Sequence, residues 1–340
     1  MTSLERVATA LDHRVPDRVP VALHNFLMAS TMTGAGFDEV LRSGEALAEA
    51  ELAAWREFRH DVIMHENGVC AEAEAMGCTI AYHPDIPPHV ADPVIKSFDD
   101  VDKLTVPDPE TTFPLNELLK ATRILVQETK GQAFVMGRAD QGPMALAAAL
   151  CGPEKFLLAA MDPELRPKVS QLLDICSRMN LAYGAAQQRA GAHGTSLGVY
   201  GCSMISPRLF CELELPRVER FCLEMSRLGL RTFVHSCGNE TALLDSLIET
   251  GASCLELDPR TDPAACKRAT QGRVGVLGML EPAHVLGQGT TEQVRAHVLE
   301  ILRIMAPGGD FIIGPGCALP GNTPRENIHA LMECTRTAGR

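Results

Sequence analysis

The run Arg231-Thr-Phe-Val-His235-Ser-Cys237-Gly238-Asn239, followed by Thr241–Thr250, decides how the chain is read. Its first half is β-branched and apolar, a glycine frees the turn, and apolar residues then recur at helical spacing. That is a strand feeding a helix, with polar side chains left at the strand's carboxyl end. The same unit recurs along the sequence. Strands are expected at Val19–His24, Val62–Glu66, Ala133–Ala139, Thr195–Tyr200, Arg231–Cys237, Ser253–Asp258, Val274–Leu280 and Asp310–Gly316. Helical periodicity fills Leu115–Lys130, Arg166–Arg189, Pro207–Leu228, Thr241–Thr250, Thr291–Met305 and Pro324–Thr337, with start signals at Asp162-Pro163, Ser206-Pro207 and Asn322-Thr323-Pro324.

Eight near-continuous apolar strands, each followed by a helix, describe parallel strands under an outer layer. The count predicts an α/β fold, a closed (β/α)8 TIM barrel, over 1–340 as one domain. An open doubly wound sheet is the competing arrangement. Ser3–Asp12 reads as an N-terminal helical extension that plugs or flanks one end. The proline-rich stretch Cys78–Asp108 interrupts the alternation after the second strand, and Cys78–His83 with Pro93–Lys96 are expected to form a β-hairpin or lid there.

A net charge of -12, from 31 Lys+Arg against 43 Asp+Glu, disfavours nucleic acid and anionic lipid surfaces as partners. Aromatic residues at 4% leave few stacking platforms for single-stranded nucleic acid. No apolar run approaches the ~20 residues of a membrane helix. The longest, Met144–Cys151, lies between Pro143 and Pro153. The start of the chain carries acidic residues where a secretory signal has an apolar block. Without export, 12 cysteines point to a reducing cytoplasm in which thiols are core filler, metal ligands or catalysts.

In a barrel of this kind the chemistry sits where strands end and βα loops begin. His235 and Cys237 are two residues apart at the end of one expected strand, so on extended backbone they point the same way. Cys317 stands beyond the last strand, after Gly314-Pro-Gly316. One imidazole and two thiolates are a zinc donor set, and a catalytic zinc keeps a fourth position open. The plain alternative is two small buried hydrophobes and a hydrogen-bonded core histidine. Strand-end placement of all three, with glycine at each turn, favours the metal.

At these residues the chain resembles the uroporphyrinogen decarboxylase-like barrels, and within them the zinc-dependent corrinoid methyltransferases that act on coenzyme M. The opening Ala10-Leu-Asp-His-Arg-Val-Pro-Asp-Arg-Val-Pro20 is similar to the family's start. Glu74-Ala-Met-Gly-Cys78, Gly142-Pro143, Ile205-Ser-Pro207 and Gly321-Asn-Thr-Pro-Arg-Glu-Asn327 follow in the family's order. His235-Ser-Cys237 with Gly314-Pro-Gly-Cys317 resembles the H-x-C…C zinc motif of the methyltransferase branch. The decarboxylase branch fits less well. It carries an arginine-rich segment after the opening that holds substrate propionates, and Leu23-His-Asn-Phe-Leu-Met-Ala-Ser-Thr-Met32 has no arginine. It places a catalytic aspartate after the second strand, where this chain has Glu66 and Asn67. Relatives also often show an aspartate in the stretch that is Tyr200-Gly201-Cys202-Ser203 here.

The resemblance implies zinc on His235, Cys237 and Cys317 and a thiol such as coenzyme M entering the fourth position. The methyl donor is then methylcobalamin carried by a separate corrinoid protein, because no D-x-H-x-x-G cobalamin pattern occurs in the sequence. Glu66 and Asp140 are candidates for a resting fourth ligand, and Asp258 for a carboxylate that orients His235. Each reads equally as a helix cap or a loop charge, and Glu281, before Pro282, as a helix start. His24 and His65 either line the mouth or pack as hydrogen-bonded histidines. Cys202 is the one spare thiol near the mouth, and the remaining cysteines read as core filler. A sulfonate contact is open among Arg138, Arg208, Arg231 and Arg260. The competing functions are the same transfer to a tetrahydrofolate acceptor, uroporphyrinogen decarboxylation, and a corrinoid-protein-binding module without turnover.

Overall fold

The computed structural model describes residues 1–65, 68–201 and 204–338. Eight parallel strands run around a closed sheet in the order β1 (Ala22–Leu23), β2 (Val62–Met64), β5 (Phe134–Gln141), β6 (Gly194–Val199), β7 (Arg231–Ser236), β8 (Cys254–Leu257), β9 (Gly275–Leu280) and β10 (Phe311–Pro315). Closure comes where Val21 bridges Ile313 in parallel and Ile313 N donates to Pro20 O at 2.9 Å. The expected TIM barrel therefore forms, and the open sheet does not.

Strand periodicity divides the core in two. Outward residues such as Ile63, Val135, Val234 and Ile313 pack beneath the surrounding helices. Inward residues, among them Ala22, Met64, Met136, Phe233, Cys254 and Leu277, fill the barrel. The expected first helix, Ser3–Leu11, begins at a Thr2–Glu5 capping box and lays Val7 and Leu11 into that interior, plugging the barrel's amino end. Asp61 fastens it there. Its buried carboxylate accepts Arg6 Nη1, Arg18 Nη1 and Ser3 Oγ, each at 2.7 Å, and Val21 N at 2.8 Å.

Two expectations need correction. The hairpin forms, but from β3 (Thr79–Ala81) and β4 (His89–Asp92), not from Pro93–Lys96. Pro93 has no N–H to give a ladder. Ile95 is fully buried, and its N–H bonds Leu150 O at 2.9 Å, which docks that segment on the helix Pro143–Cys151. The expected helix Pro207–Leu228 is interrupted by a π-turn over Phe210–Glu214, before Leu215–Arg227. Pro216 lacks the N–H that would close an ordinary turn there. The widened turn buries Phe210, Leu213 and Glu214 and leaves Cys211 exposed, so that cysteine is not core filler.

Among the described residues no single helix is long and apolar enough to cross a membrane, and Pro143–Cys151 and Pro153–Met161 meet at a bend of 115°.

Candidate metal centre

The site grows out of the barrel interior by the strand period of two. Two residues beyond inward Ala22, Met136, Phe233 and Cys254 stand His24, Arg138, His235 and Glu256. A polar layer therefore caps an apolar interior at the carboxyl end of the strands. Gly198 pairs in register with His235, and His235 with Glu256, so β6 contributes no side chain beside the histidine and leaves room there.

Above this layer His235 Nε2 lies 3.1 Å from Cys237 Sγ, and Cys237 Sγ lies 3.9 Å from Cys317 Sγ. The three donor atoms fall within 4.8 Å of one another. Tetrahedral zinc with bonds of about 2.3 Å to sulfur sets two thiolates about 3.8 Å apart, so the donors fit that ion in type and in spacing. Gly316 makes the approach possible. A Cβ there would meet Pro259 Cδ at 2.5 Å and Leu257 O at 2.7 Å, so only glycine lets the loop after β10 lie against the end of β8. On the other side Gly238 turns the chain at φ 108°, and Asn239 Oδ1 accepts Thr241 N at 3.1 Å.

The charges in the site hold one another. Burial disfavours a charged His235, but Glu256, together with contacts to the two sulfurs, keeps it well above the usual imidazole range. Burial would also neutralise Glu256, yet His235 and Arg138 hold it well below the usual carboxylate range. Donation from the Cys237 thiol, opposed by burial and aided by His235, pulls Cys317 down, while the same contact pushes Cys237 up. A divalent cation held by these three donors would take the place of the protons they share.

Glu256 is the residue that the sequence reading missed. Oε1 stands 3.4 Å from His235 Nδ1 and 3.3 Å from His24 Nδ1, and Oε2 stands 3.6 Å from Arg138 Nη1. Asp258, expected in this role, is two residues too far along. Its Oδ1 accepts Arg260 N at 2.9 Å, within its own loop. His65 has outward parity, and its Nε2 meets Thr122 Oγ1 at 2.8 Å, away from the mouth. Glu281 caps the turn that follows it by accepting Val285 N at 2.9 Å. Glu66 and Cys202 lie outside the described residues, as does the side chain of Asp140, whose backbone belongs to β5.

A second unforeseen carboxyl is Glu214, fully buried, whose Oε2 accepts Met144 N at 3.0 Å at the start of the helix Pro143–Cys151. Burial pushes it up to about 8, against the Met144 N–H and Arg217. Its sequence context, alternating Glu and Leu in a helical run, carries no signal of this.

His235, Cys237 and Cys317 open on a cavity of about 370 Å³ whose other walls include His24, Phe26, Arg138, Val199, Tyr200 and Met204. Of the four arginines left open as sulfonate contacts, Arg138 alone reaches it. Arg231 pairs with Asp12 at the amino end of its strand, Arg208 is 83% exposed beside Glu212, and Arg260 is 73% exposed beside Asp258.

Residues 2–338 match the family model for uroporphyrinogen decarboxylase (URO-D). The chain is 28% identical to a methylcobamide:CoM methyltransferase (MtbA) of Methanosarcina acetivorans, over 98% of each chain. It is 26% identical to a uroporphyrinogen decarboxylase of Coxiella burnetii, over 87% of this chain and 82% of that one. Among solved structures, a methyltransferase from Methanosarcina mazei superposes with a TM-score of 0.90 at 23% identity, covering 99% of both chains.

Proposed function

We propose, from the premise that the chain belongs to the uroporphyrinogen decarboxylase family, that it is a methyltransferase which moves a methyl group from a methylated corrinoid to a thiol activated at a zinc centre. The observation that carries this reading is the convergence of His235 Nε2, Cys237 Sγ and Cys317 Sγ on the wall of a largely apolar cavity. A zinc ion held there would supply Lewis acidity, so that a thiol with an ordinary pKa near ~8.5 could lose its proton at neutral pH. The chain's own residues do the rest. Glu256 faces His235 from behind, while Phe26, Val199 and Met204 give the cavity apolar walls. The walls would hold the thiol and the methyl donor close together for transfer. The sulfur's electron pair forms the S–C bond, the Co–C pair leaves with cobalt as Co(I), and the thiol's proton passes to solvent.

The names of the Methanosarcina relatives support a methylcobamide donor, and we read that donor as carried by a corrinoid protein that docks on the carboxyl-end face of the barrel. A decarboxylase substrate is disfavoured by the walls. A porphyrinogen's carboxylates need cations, and among the described residues lining the cavity the one arginine or lysine is Arg138, already beside Glu256.

Metal analysis tests the reading first. Zinc bound stoichiometrically by the purified protein and lost from Cys317→Ala is the expected result. Mixing zinc-loaded protein with methylcobalamin and a small thiol should then bleach the methylcobalamin spectrum. Metal-free protein that remains active would move the assignment to a tetrahydrofolate acceptor.

A further inference from the structure

The cavity does not end at the sulfurs. Val69, Gln141, Ala145 and Tyr200 also line a second, adjoining pocket of about 390 Å³. Val90 of the hairpin and Pro93 just beyond it wall one side, and Ala148 and Ala149 of the helix Pro143–Cys151 wall the other. No charged side chain is among the described residues of this chamber. Small side chains on a helix face open it, and the hairpin flanks it.

Two neutral polar side chains, Gln141 and Tyr200, are shared by the two spaces. Gln141 Oε1 is buried and has no hydrogen-bond partner among the described residues, although the residue's backbone O accepts Asn180 Nδ2 at 2.8 Å.

A sulfonate has no comparable place. Arg138, the one arginine or lysine among the described wall residues, is 1% exposed with Nη1 3.6 Å from Glu256, so its charge is already offset by that buried carboxylate. Two thiolates neutralise a divalent ion, so a zinc centre of this composition offers an anionic tail no surplus charge. Glu66, Asn67, Cys202 and Ser203, outside the described residues, include no cation by their identity.

We infer that the acceptor is an uncharged thiol whose apolar tail runs from the sulfurs past Gln141 and Tyr200 into this chamber, and that a short anionic thiol is a poor acceptor. This rests on the thiol methyltransferase reading above and names its substrate class. Each methylene moved from water into the chamber strengthens binding about three- to fourfold until the space is filled.

The test uses zinc-loaded protein with 1-propanethiol, 1-butanethiol, 1-pentanethiol, 1-hexanethiol and 2-mercaptoethanesulfonate. Binding is read by calorimetry, and kcat and KM by methylcobalamin demethylation. The expected result is affinity climbing with length at the fold-change given, with the sulfonate below propanethiol. In Ala149→Phe and, from the opposite wall, Val90→Phe, the gain with length should disappear. A flat series, or a sulfonate equal to or better than the alkyl thiols, overturns the inference and leaves methyl transfer standing. So does a rise in the KM for methylcobalamin in both variants with the length series intact, since the chamber then takes the donor. No transfer to any thiol, with length-dependent binding intact, overturns the functional reading, while the apolar-tail site stands on the binding series.

Discussion

Glu256 and His235 occupy paired positions on adjacent strands, and the buried carboxylate of the first lies 3.4 Å from Nδ1 of the second. The histidine presents Nε2 to the sulfurs and turns Nδ1 toward the carboxylate. Glu256→Gln keeps the shape and removes the charge. It should weaken zinc binding about 10- to 100-fold, the usual consequence of losing a carboxylate behind a ligating histidine. Competition with a chromophoric chelator measures this. Unchanged affinity would show that the contact has no part in holding the metal.

The amino end of the barrel carries a separate device. Asp61 takes two arginines, a serine hydroxyl and a backbone N–H. Asp61→Ala leaves Arg18 without its carboxylate while Arg6 keeps Asp17, so the loss stays below the about 3–5 kcal/mol of a buried pair broken outright. A fall in the urea midpoint at constant slope would report it. Zinc content, set at the opposite end of the barrel, should not change in the folded fraction.

Much of this layout was readable in advance, for a physical reason. Strands buried on both faces must be apolar throughout, so a polar residue at a strand's end is conspicuous, and His235, Cys237 and Cys317 were conspicuous in that way. Glu256 was hidden by the same logic, because it interrupts an apolar strand one step before the end and the eye goes to Asp258. Counting by twos from inward Cys254 would have found it, and the same count turns His65 outward. The hairpin shift had no comparable signal. It depends on Ile95 finding a tertiary partner at Leu150, which local propensity does not report.

Two buried groups set opposed pH dependences. Glu214 is raised from 4.5 to about 8, so within that window the native chain binds more protons than the unfolded one and stability falls as pH rises. His60 is lowered by burial from 6.5 to about 4, so there the unfolded chain binds more protons and stability falls as pH drops. The two slopes oppose each other from 4.5 to 6.5, and from 6.5 to 8 the Glu214 slope stands without it, at most about 1.4 kcal/mol per pH unit. Glu214→Gln should therefore gain stability relative to the parent as pH rises through that upper range. Parallel denaturation curves for the two proteins at both ends of the range would contradict this.

Gly316 separates the metal site from the fold. A methyl group there would press on Pro259 Cδ at 2.5 Å and on the Leu257 carbonyl at 2.7 Å, a rigid ring and a backbone atom of the loop and strand that carry β8's end. Neither yields as a flexible side chain would, so the strain is relieved by moving the loop that carries Cys317. The barrel hydrogen bonds between β9 and β10 lie before that point, with the last register pair at Pro315 and Leu280. Gly316→Ala should therefore retain the far-ultraviolet circular dichroism of the parent and lose affinity for zinc. The Cys237–Cys317 separation of 3.9 Å leaves little slack for a tetrahedral site, since a shift of about 1 Å takes a sulfur out of bonding range. A variant that binds zinc as tightly as the parent would mean that the loop reaches the same place by another route, and the close packing of Gly316 would then have no bearing on the metal.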